Sequence, residues 1–165
     1  IFSLWNHLGA GETRPIAEWA AEHFERAGRP LRIAVDEPLW RYQNLSEAKE
    51  AEIKRTSPGS HPREKRIIER VVDLLKLNVQ LLFVFDGPHK ARKIRRANSG
   101  YVGQPSNEAI RLLTNIFDYM GVPYHNAPGD AEAECVRLEQ LGVVDAVWSD
   151  DSDCLMFGCS TLVRF

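Results

Sequence analysis

The chain has 165 residues, 44% apolar and 27% charged, with 11 Gly, 9 Pro and a net charge of −2 from 21 Lys and Arg against 23 Asp and Glu. That composition excludes disorder, collagen and coiled coil, and it fits one globular domain that buries roughly 70% of its unfolded surface. No apolar run approaches the ~20 residues of a membrane-spanning helix and Ile1 to Trp5 lacks a basic-then-apolar signal pattern, so the expectation is a soluble intracellular protein with no membrane partner.

Thr13 and Pro15 open a helical pattern over Ile16, Trp19, Ala20, His23, Phe24 and Ala27 that stops at Gly28. Leu31, Ile33, Ala34 and Val35 form a short β-rich run ending on Asp36. Pro38 starts a second helix reaching about Arg55, broken by Ser57-Pro58-Gly59-Ser60. Pro62 precedes a third helix with Ile67, Val71, Leu74 and Leu75 on one stripe, and Val79 to Phe85 is a continuous apolar run ending on Asp86. Such runs suit strands buried on both faces. Gly100 to Pro105 reads as loop, Ser106 caps a helix through Met120, and Gly121 ends it. Val122 to His125 reads as a short strand, Asp130 to Leu141 as a helix stopped by Gly142, and Val143 to Trp148 as a strand ending in Ser149-Asp150-Asp151-Ser152-Asp153. Thr161 to Phe165 reads as a last strand. Cys135, Cys154 and Cys159 form no CxxC pair and read as free thiols in a reducing compartment.

Alternation at this spacing predicts an α/β fold, a mainly parallel central sheet with helices on both faces. In such sheets ligands sit beyond the carboxyl ends of the strands, where strand order reverses. Charge is segregated along the chain. Lys90, Arg92, Lys93, Arg95 and Arg96 lie together with no acid between them, whereas Asp130 to Asp153 holds eight acids against Arg137. Asp36, Asp86 and the Asp151/Asp153 pair each fall where an apolar run stops, and Asp130 and Glu132 open a helix just after another strand, so all can face one crevice. Two unit charges about 4 Å apart repel by roughly 4 kcal/mol at an effective dielectric near 20. Oxygen-only ligands without histidine suit Mg²⁺ or Mn²⁺ better than zinc. Each acid also has an ordinary use: Asp130 and Glu132 complement a helix dipole, Asp150 and Asp151 cap a short helix reaching Phe157, and Asp36 and Asp86 initiate turns. What favours the metal site is that four separate segments place acids at one end of one sheet.

At these residues the chain resembles the N-terminal nuclease domain of the structure-specific 5′ nucleases: flap endonucleases, the xeroderma-type repair nuclease, exonuclease 1-type enzymes and the Gen/Yen Holliday-junction resolvases. The matching stretches are Ile1 to Trp5, Ile33-Ala34-Val35-Asp36, Val84-Phe85-Asp86-Gly87, Ala127 to Glu134, and Ser149 to Gly158. The resemblance implies a PIN-like 5′ nuclease domain over residues 1–165, part of a longer protein, with a basic arch-like segment over 88–105. It implies metal ligation by Asp36, Asp86, Glu132, Asp151 and Asp153, directly or through water, to two ions. Asp130 stands where the family has Glu, and its shorter side chain reaches an ion through water or a shifted helix. Glu134 and Asp150 fall outside the implied ligand set. Lys93 matches the family's basic residue near the scissile phosphate, with Arg95 and Arg96 as candidates for its companion arginine. The family's Met-Gly before this Ile, a further Asp ligand and a DNA clamp are not in this sequence.

The resulting expectation is a Mg²⁺-dependent endonuclease, with Mn²⁺ able to substitute, that hydrolyses phosphodiesters in branched DNA: Holliday junctions, 5′ flaps and replication forks. It acts in recombination and repair, in the nucleus, as a dimer on four-way junctions and a monomer on flaps. Gly87 to Pro105 is 19 residues, and one helix over 89–97 spans about 13 Å at about 1.5 Å per residue. That is too little for a two-helix gateway, so among the family the chain most resembles the Gen/Yen resolvases. The alternatives are a flap endonuclease or 5′ exonuclease, a non-catalytic junction-binding module, and a small metal phosphatase or receiver-like domain. The basic run argues against the last, which needs no such cluster of cations.

Overall fold

The apolar runs at 31–36, 79–85 and 146–148 form the middle of a five-stranded, all-parallel sheet in the computed structural model, which describes residues 4–9, 11–90 and 107–164. The strands are β1 (Leu31–Asp36), β2 (Val79–Phe85), β3 (Tyr124–Asn126), β4 (Ala146–Trp148) and β5 (Leu162–Val163), in spatial order β3-β2-β1-β4-β5. The helices are α1 (Leu4–His7), α2 (Ile16–Ala27), α3 (Glu37–Asn44), α4 (Glu47–Thr56), α5 (Pro62–Lys76), α6 (Asn107–Met120), α7 (Ala131–Gln140) and α8 (Asp153–Met156). Arg92, Lys93, Arg95 and Arg96, residues 91–97 of the helix expected over 89–97 and the Ser106 cap lie outside the described residues.

The sheet separates two cores, because alternate residues of a strand point to opposite faces. Leu31, Ile33 and Val35 of β1, with Val79, Leu81, Phe83 and Phe85 of β2, pack on Ala20, Trp40, Ile67, Val71, Leu74, Leu113 and Phe117 from α2, α3, α5 and α6. Ala34, Val84 and Val147 face the other way, onto Ala131, Cys135, Val136 and Cys154 of α7 and α8. Helices therefore cover both faces, as alternation predicts. In the larger core the rings of Trp40 and Phe83 meet edge to face at 5.3 Å, and Trp40 meets Trp148 of β4 at 5.8 Å. Those contacts seat α3, the helix that begins immediately after Asp36.

The expected single helix from Pro38 to Arg55 is two helices. Leu45 is extended (φ −155°, ψ 123°), and Ser46 restarts the chain as an N-cap whose Oγ accepts the Lys49 N–H at 3.4 Å. A serine cap gives the backbone an alternative to continuing the helix. The strand expected over 143–148 is confined to Ala146–Trp148, and the one over 122–125 is displaced to Tyr124–Asn126. Gly28, Gly121 and Gly142 stop their helices in left-handed backbone.

The chain leaves β1 for β2 and β3 on one side, then returns to place β4 on the other. Strand order therefore reverses between β1 and β4, and the crevice at their carboxyl ends is where an open parallel sheet binds its ligands.

Candidate metal centre

Asp36 closes β1 at that reversal point and is 4% exposed. Across the seam, just past β4, Ser149 Oγ donates to Asp36 Oδ2 at 2.9 Å and accepts the Asp151 N–H at 3.1 Å. Asp151 Oδ1 accepts the Asp153 N–H at 3.0 Å. A single buried hydroxyl thus fixes the loop carrying Asp151 and Asp153 against the end of β1. Burial pushes the Asp36 carboxyl up to about 7, helped by the nearby Glu132 and Asp86 charges and opposed by the Ser149 hydrogen bond.

Asp86 follows β2 and joins α7, because its Oδ1 accepts the Ala131 N–H at 3.1 Å. Asp130 is the N-cap residue of that helix but makes no side-chain capping bond, so Asp86 caps α7 from another segment. The Asp130 Oδ1 is buried and accepts no hydrogen bond among the described residues, and Lys90 Nζ stands 3.8 Å from it. Lys90 Nζ also donates to Asp86 Oδ2 at 2.5 Å. Glu132, in the first turn of α7, is 6% exposed. One carboxylate oxygen each from Asp86, Asp130 and Glu132 lies within 4.8 Å of the others.

The approach of Asp86 to α7 depends on a crossing of two turns. Gly87 N–H donates to Gly129 O at 2.7 Å and His89 N–H to Pro128 O at 3.2 Å. A Cβ at Gly87 would stand 1.7 Å from the Ala127 carbonyl oxygen, so only glycine fits there.

Behind Asp36, Glu37 and Arg41 are buried in the first turns of α3 and meet Glu64 of α5. Arg41 Nε donates to Glu37 Oε1 at 2.6 Å and Nη1 donates to Glu64 Oε1. Burial outweighs Arg41 and pushes the Glu37 carboxyl up to about 7. This triad ties α3 to α5 directly behind the residue that closes β1.

The structure thus brings Asp86, Asp130 and Glu132 into one group. Asp36, Asp151 and Asp153 lie outside that group, Asp36 linked to it by the fields of Glu132 and Asp86 and the other two to Asp36 through Ser149. Glu134 turns aside and pairs with His125 Nε2 at 2.9 Å. Asp150 takes Gln43 Nε2 at 2.5 Å and lies 3.8 Å from Arg164 Nε, whose guanidinium stacks on Trp5 at 3.5 Å. Cys135 and Cys154 are buried in the smaller core, where burial pushes both thiols up, Cys154 to about 12. Sequence reasoning missed Ser149, Lys90 as a partner of two acids, and the long-range cap by Asp86. For Ser149 the signal was present, a hydroxyl placed where an apolar strand stops.

The donor set fits a hard divalent cation. It is all oxygen, it contains a buried carboxylate oxygen without a hydrogen bond, and it holds Asp36 where burial opposes ionisation until positive charge arrives.

Residues 121–165 match the XPG I-region family. Over 108 residues the chain is 37% identical to a flap endonuclease 1 homologue of Danio rerio, covering 58% of this chain and 30% of that protein. Over 128 residues it is 30% identical to the Holliday junction resolvase YEN1 of Saccharomyces cerevisiae, covering 59% of this chain and 17% of that protein. The fold matches the Holliday junction-resolving enzyme GEN1 in complex with product DNA and Mg²⁺, with a TM-score of 0.76 and 36% identity over 100% of this chain and 36% of that one. The chain spans well under half the length of these relatives.

Proposed function

We propose, on the premise that this chain is homologous to the GEN1, YEN1 and flap endonuclease 1 nucleases, that residues 1–165 are the nuclease portion of a protein that hydrolyses phosphodiesters in branched DNA. The observation that carries this reading is the meeting of Asp86, Asp130 and Glu132 beside Asp36 at the strand-order reversal. Asp86, Asp130 and Glu132 would hold one Mg²⁺ or Mn²⁺, and Asp36, Asp151 and Asp153 would complete the set for a second. Bound divalent ions supply Lewis-acid charge and lower the pKa of a water.

The chain's own residues do the positioning. Ser149 orients Asp36 and holds the Asp151–Asp153 loop in register with it. Asp86, by capping α7, fixes the helix that presents Glu132. The Lys90–Arg96 run supplies positive charge for the DNA backbone, and Lys93 acts on charge developing at the scissile phosphate. The 19 residues from Gly87 to Pro105 are too few for a two-helix gateway, and a site without such a gateway admits strands that have no free end. That favours Holliday junctions cut by a pair of subunits, and flaps and forks cut by one, in the nucleus.

The test uses the full-length protein on a labelled four-way junction and on 5′ flaps with free or bulky blocked ends. Cleavage of the junction and of both flaps in Mg²⁺, abolished by EDTA, with 5′-phosphate and 3′-hydroxyl products, is the expected result. Cleavage limited to free-ended flaps would replace the resolvase reading with a flap endonuclease or exonuclease. Binding without cleavage would make the protein a junction-binding module.

A further inference from the structure

The Asp86 carboxylate accepts a hydrogen bond at each of its oxygens. Its Oδ1 takes the Ala131 N–H at 3.1 Å and its Oδ2 takes Lys90 Nζ at 2.5 Å. The same ammonium reaches Asp130 Oδ1 at 3.8 Å, so it stands on two of the three carboxyl groups that converge there. Its backbone is held in place, with Lys90 N–H donating to Gly87 O at 3.3 Å and the neighbouring His89 N–H to Pro128 O at 3.2 Å. Lys90 and its two partners are each about one-quarter exposed or less, so bulk solvent only partly screens the pair.

We propose that Lys90 is a resident counter-cation of this centre, occupying Asp86 and Asp130 when no divalent ion is present and competing with that ion for them. The inference rests on the reading of Asp86, Asp130 and Glu132 as metal ligands. Mg²⁺ demands close oxygen contacts at about 2.0–2.1 Å in near-octahedral order. Each Asp86 oxygen keeps a lone pair beside the bond it accepts, but a divalent ion there repels the Lys90 ammonium, a like charge on the same carboxylate. The Ala131 N–H is backbone at the start of a ten-residue helix; the ammonium ends a flexible four-carbon stem. Lys90 is therefore the group that yields. It keeps the acids from repelling one another before metal binds, and it lowers the centre's affinity for metal. Once released, the ammonium is free to meet a DNA phosphate at the mouth of the site.

The experiment measures Mn²⁺ binding to the purified chain without DNA, by calorimetry and by the metal-induced rise in melting temperature. It compares wild type with Lys90→Met, Lys90→Gln, Lys90→Arg and Lys76→Met. Lys76 pairs with Asp73 on the exposed face of α5 and serves as the control. The two neutral Lys90 variants should bind Mn²⁺ roughly tenfold more tightly, the factor that corresponds to about 1.4 kcal/mol. They should melt lower than wild type in EDTA and show a larger rise with metal. Lys90→Arg should restore wild-type affinity, and Lys76→Met should leave it unchanged. A lysine with a purely structural role would lower the melting temperature equally with and without metal. Binding of Mn²⁺ by wild type with no tightening in either neutral variant overturns the Lys90 proposal and leaves the metal reading standing. Absence of Mn²⁺ binding in every variant overturns both.

Discussion

Replacing Gly87 with alanine should dismantle the centre without touching a carboxylate. The new Cβ would lie 1.7 Å from the Ala127 carbonyl oxygen and 2.7 Å from the carbonyl carbons of Ala127 and Pro128. These are backbone atoms and cannot swing aside as a side chain would. To admit the methyl group the two turns must part, giving up the Gly87 N–H to Gly129 O bond at 2.7 Å and the His89 N–H to Pro128 O bond at 3.2 Å. Overpacking of this kind costs about 1–3 kcal/mol, and each bond lost costs roughly 1 kcal/mol more. A total of about 3–5 kcal/mol is a large share of the roughly 5–15 kcal/mol that holds a domain folded. At about 2–4 °C per kcal/mol for a domain of this size, melting should fall by about 10 °C. Urea unfolding should show the same loss as a lower midpoint at unchanged slope. Gly129→Ala is the internal control, since its Cβ would stand 3.8 Å from His89 O, an ordinary contact. A Gly87→Ala protein that melts within about 2 °C of wild type, or a Gly129→Ala protein that is equally unstable, would refute the crossing as the constraint.

Three further outcomes follow from buried charge. Arg41→Met removes the cation between two buried carboxylates, and urea unfolding at pH 8 should show a loss of about 3–5 kcal/mol, smaller at pH 5, where Glu37, pushed up to about 7, is already protonated. In EDTA, wild type should lose stability between about pH 4 and pH 7, because the unfolded Asp36 carboxyl ionises before the folded one, raised to about 7. Asp36→Asn should flatten that part of the thermal-melting profile, and a variant that keeps the full slope would clear Asp36 of causing it. Asp145 is held well below the usual carboxylate range: against burial, it accepts two bonds from Arg29 and further bonds from Arg32. Its contribution is therefore complete above the ordinary carboxylate pKa and is lost gradually as pH falls from there through the depressed folded value. Asp145→Asn should melt lower than wild type at pH 7, with the gap beginning to narrow only below about pH 4.

The parallel sheet and its two helix layers are legible because apolar runs at Leu31–Val35 and Val79–Phe85 carry no polar face, and only a strand covered on both sides can use them. The stops are legible for the same reason, since Asp36 and Asp86 stand where the apolar runs end. The break at Leu45–Ser46 is not, because helix-favouring residues continue on both sides and the serine competes through one local bond. What no local pattern holds is the join between distant segments. Asp86 capping α7, Ser149 bonding Asp36 and Lys90 spanning Asp86 and Asp130 all depend on how strands 31–36, 79–85 and 146–148 are ordered in space. The Glu37–Arg41–Glu64 triad is similar, with only its i,i+4 half written in the sequence.

The ladders on the two sides of the reversal point are unequal. β1 and β2 are paired over six residues, β1 and β4 over three, and β4 and β5 over two. Asp36 and Asp86 therefore close the most extensively bonded pair of strands, whereas Asp151 and Asp153 follow β4, an inner strand with few rungs on either side. Local opening free energies follow such differences, and sparsely paired segments exchange their amide hydrogens by fluctuations that leave the rest of a sheet intact. Amides of Ala146 to Trp148 should thus exchange through sub-global opening and those of Ile33 to Val35 through opening of the whole domain. An ion gripping acids from both sides of the reversal would fasten β4 to β1 and move the first group toward the second. Catalytic readiness and local opening of β4 then become two readings of one equilibrium.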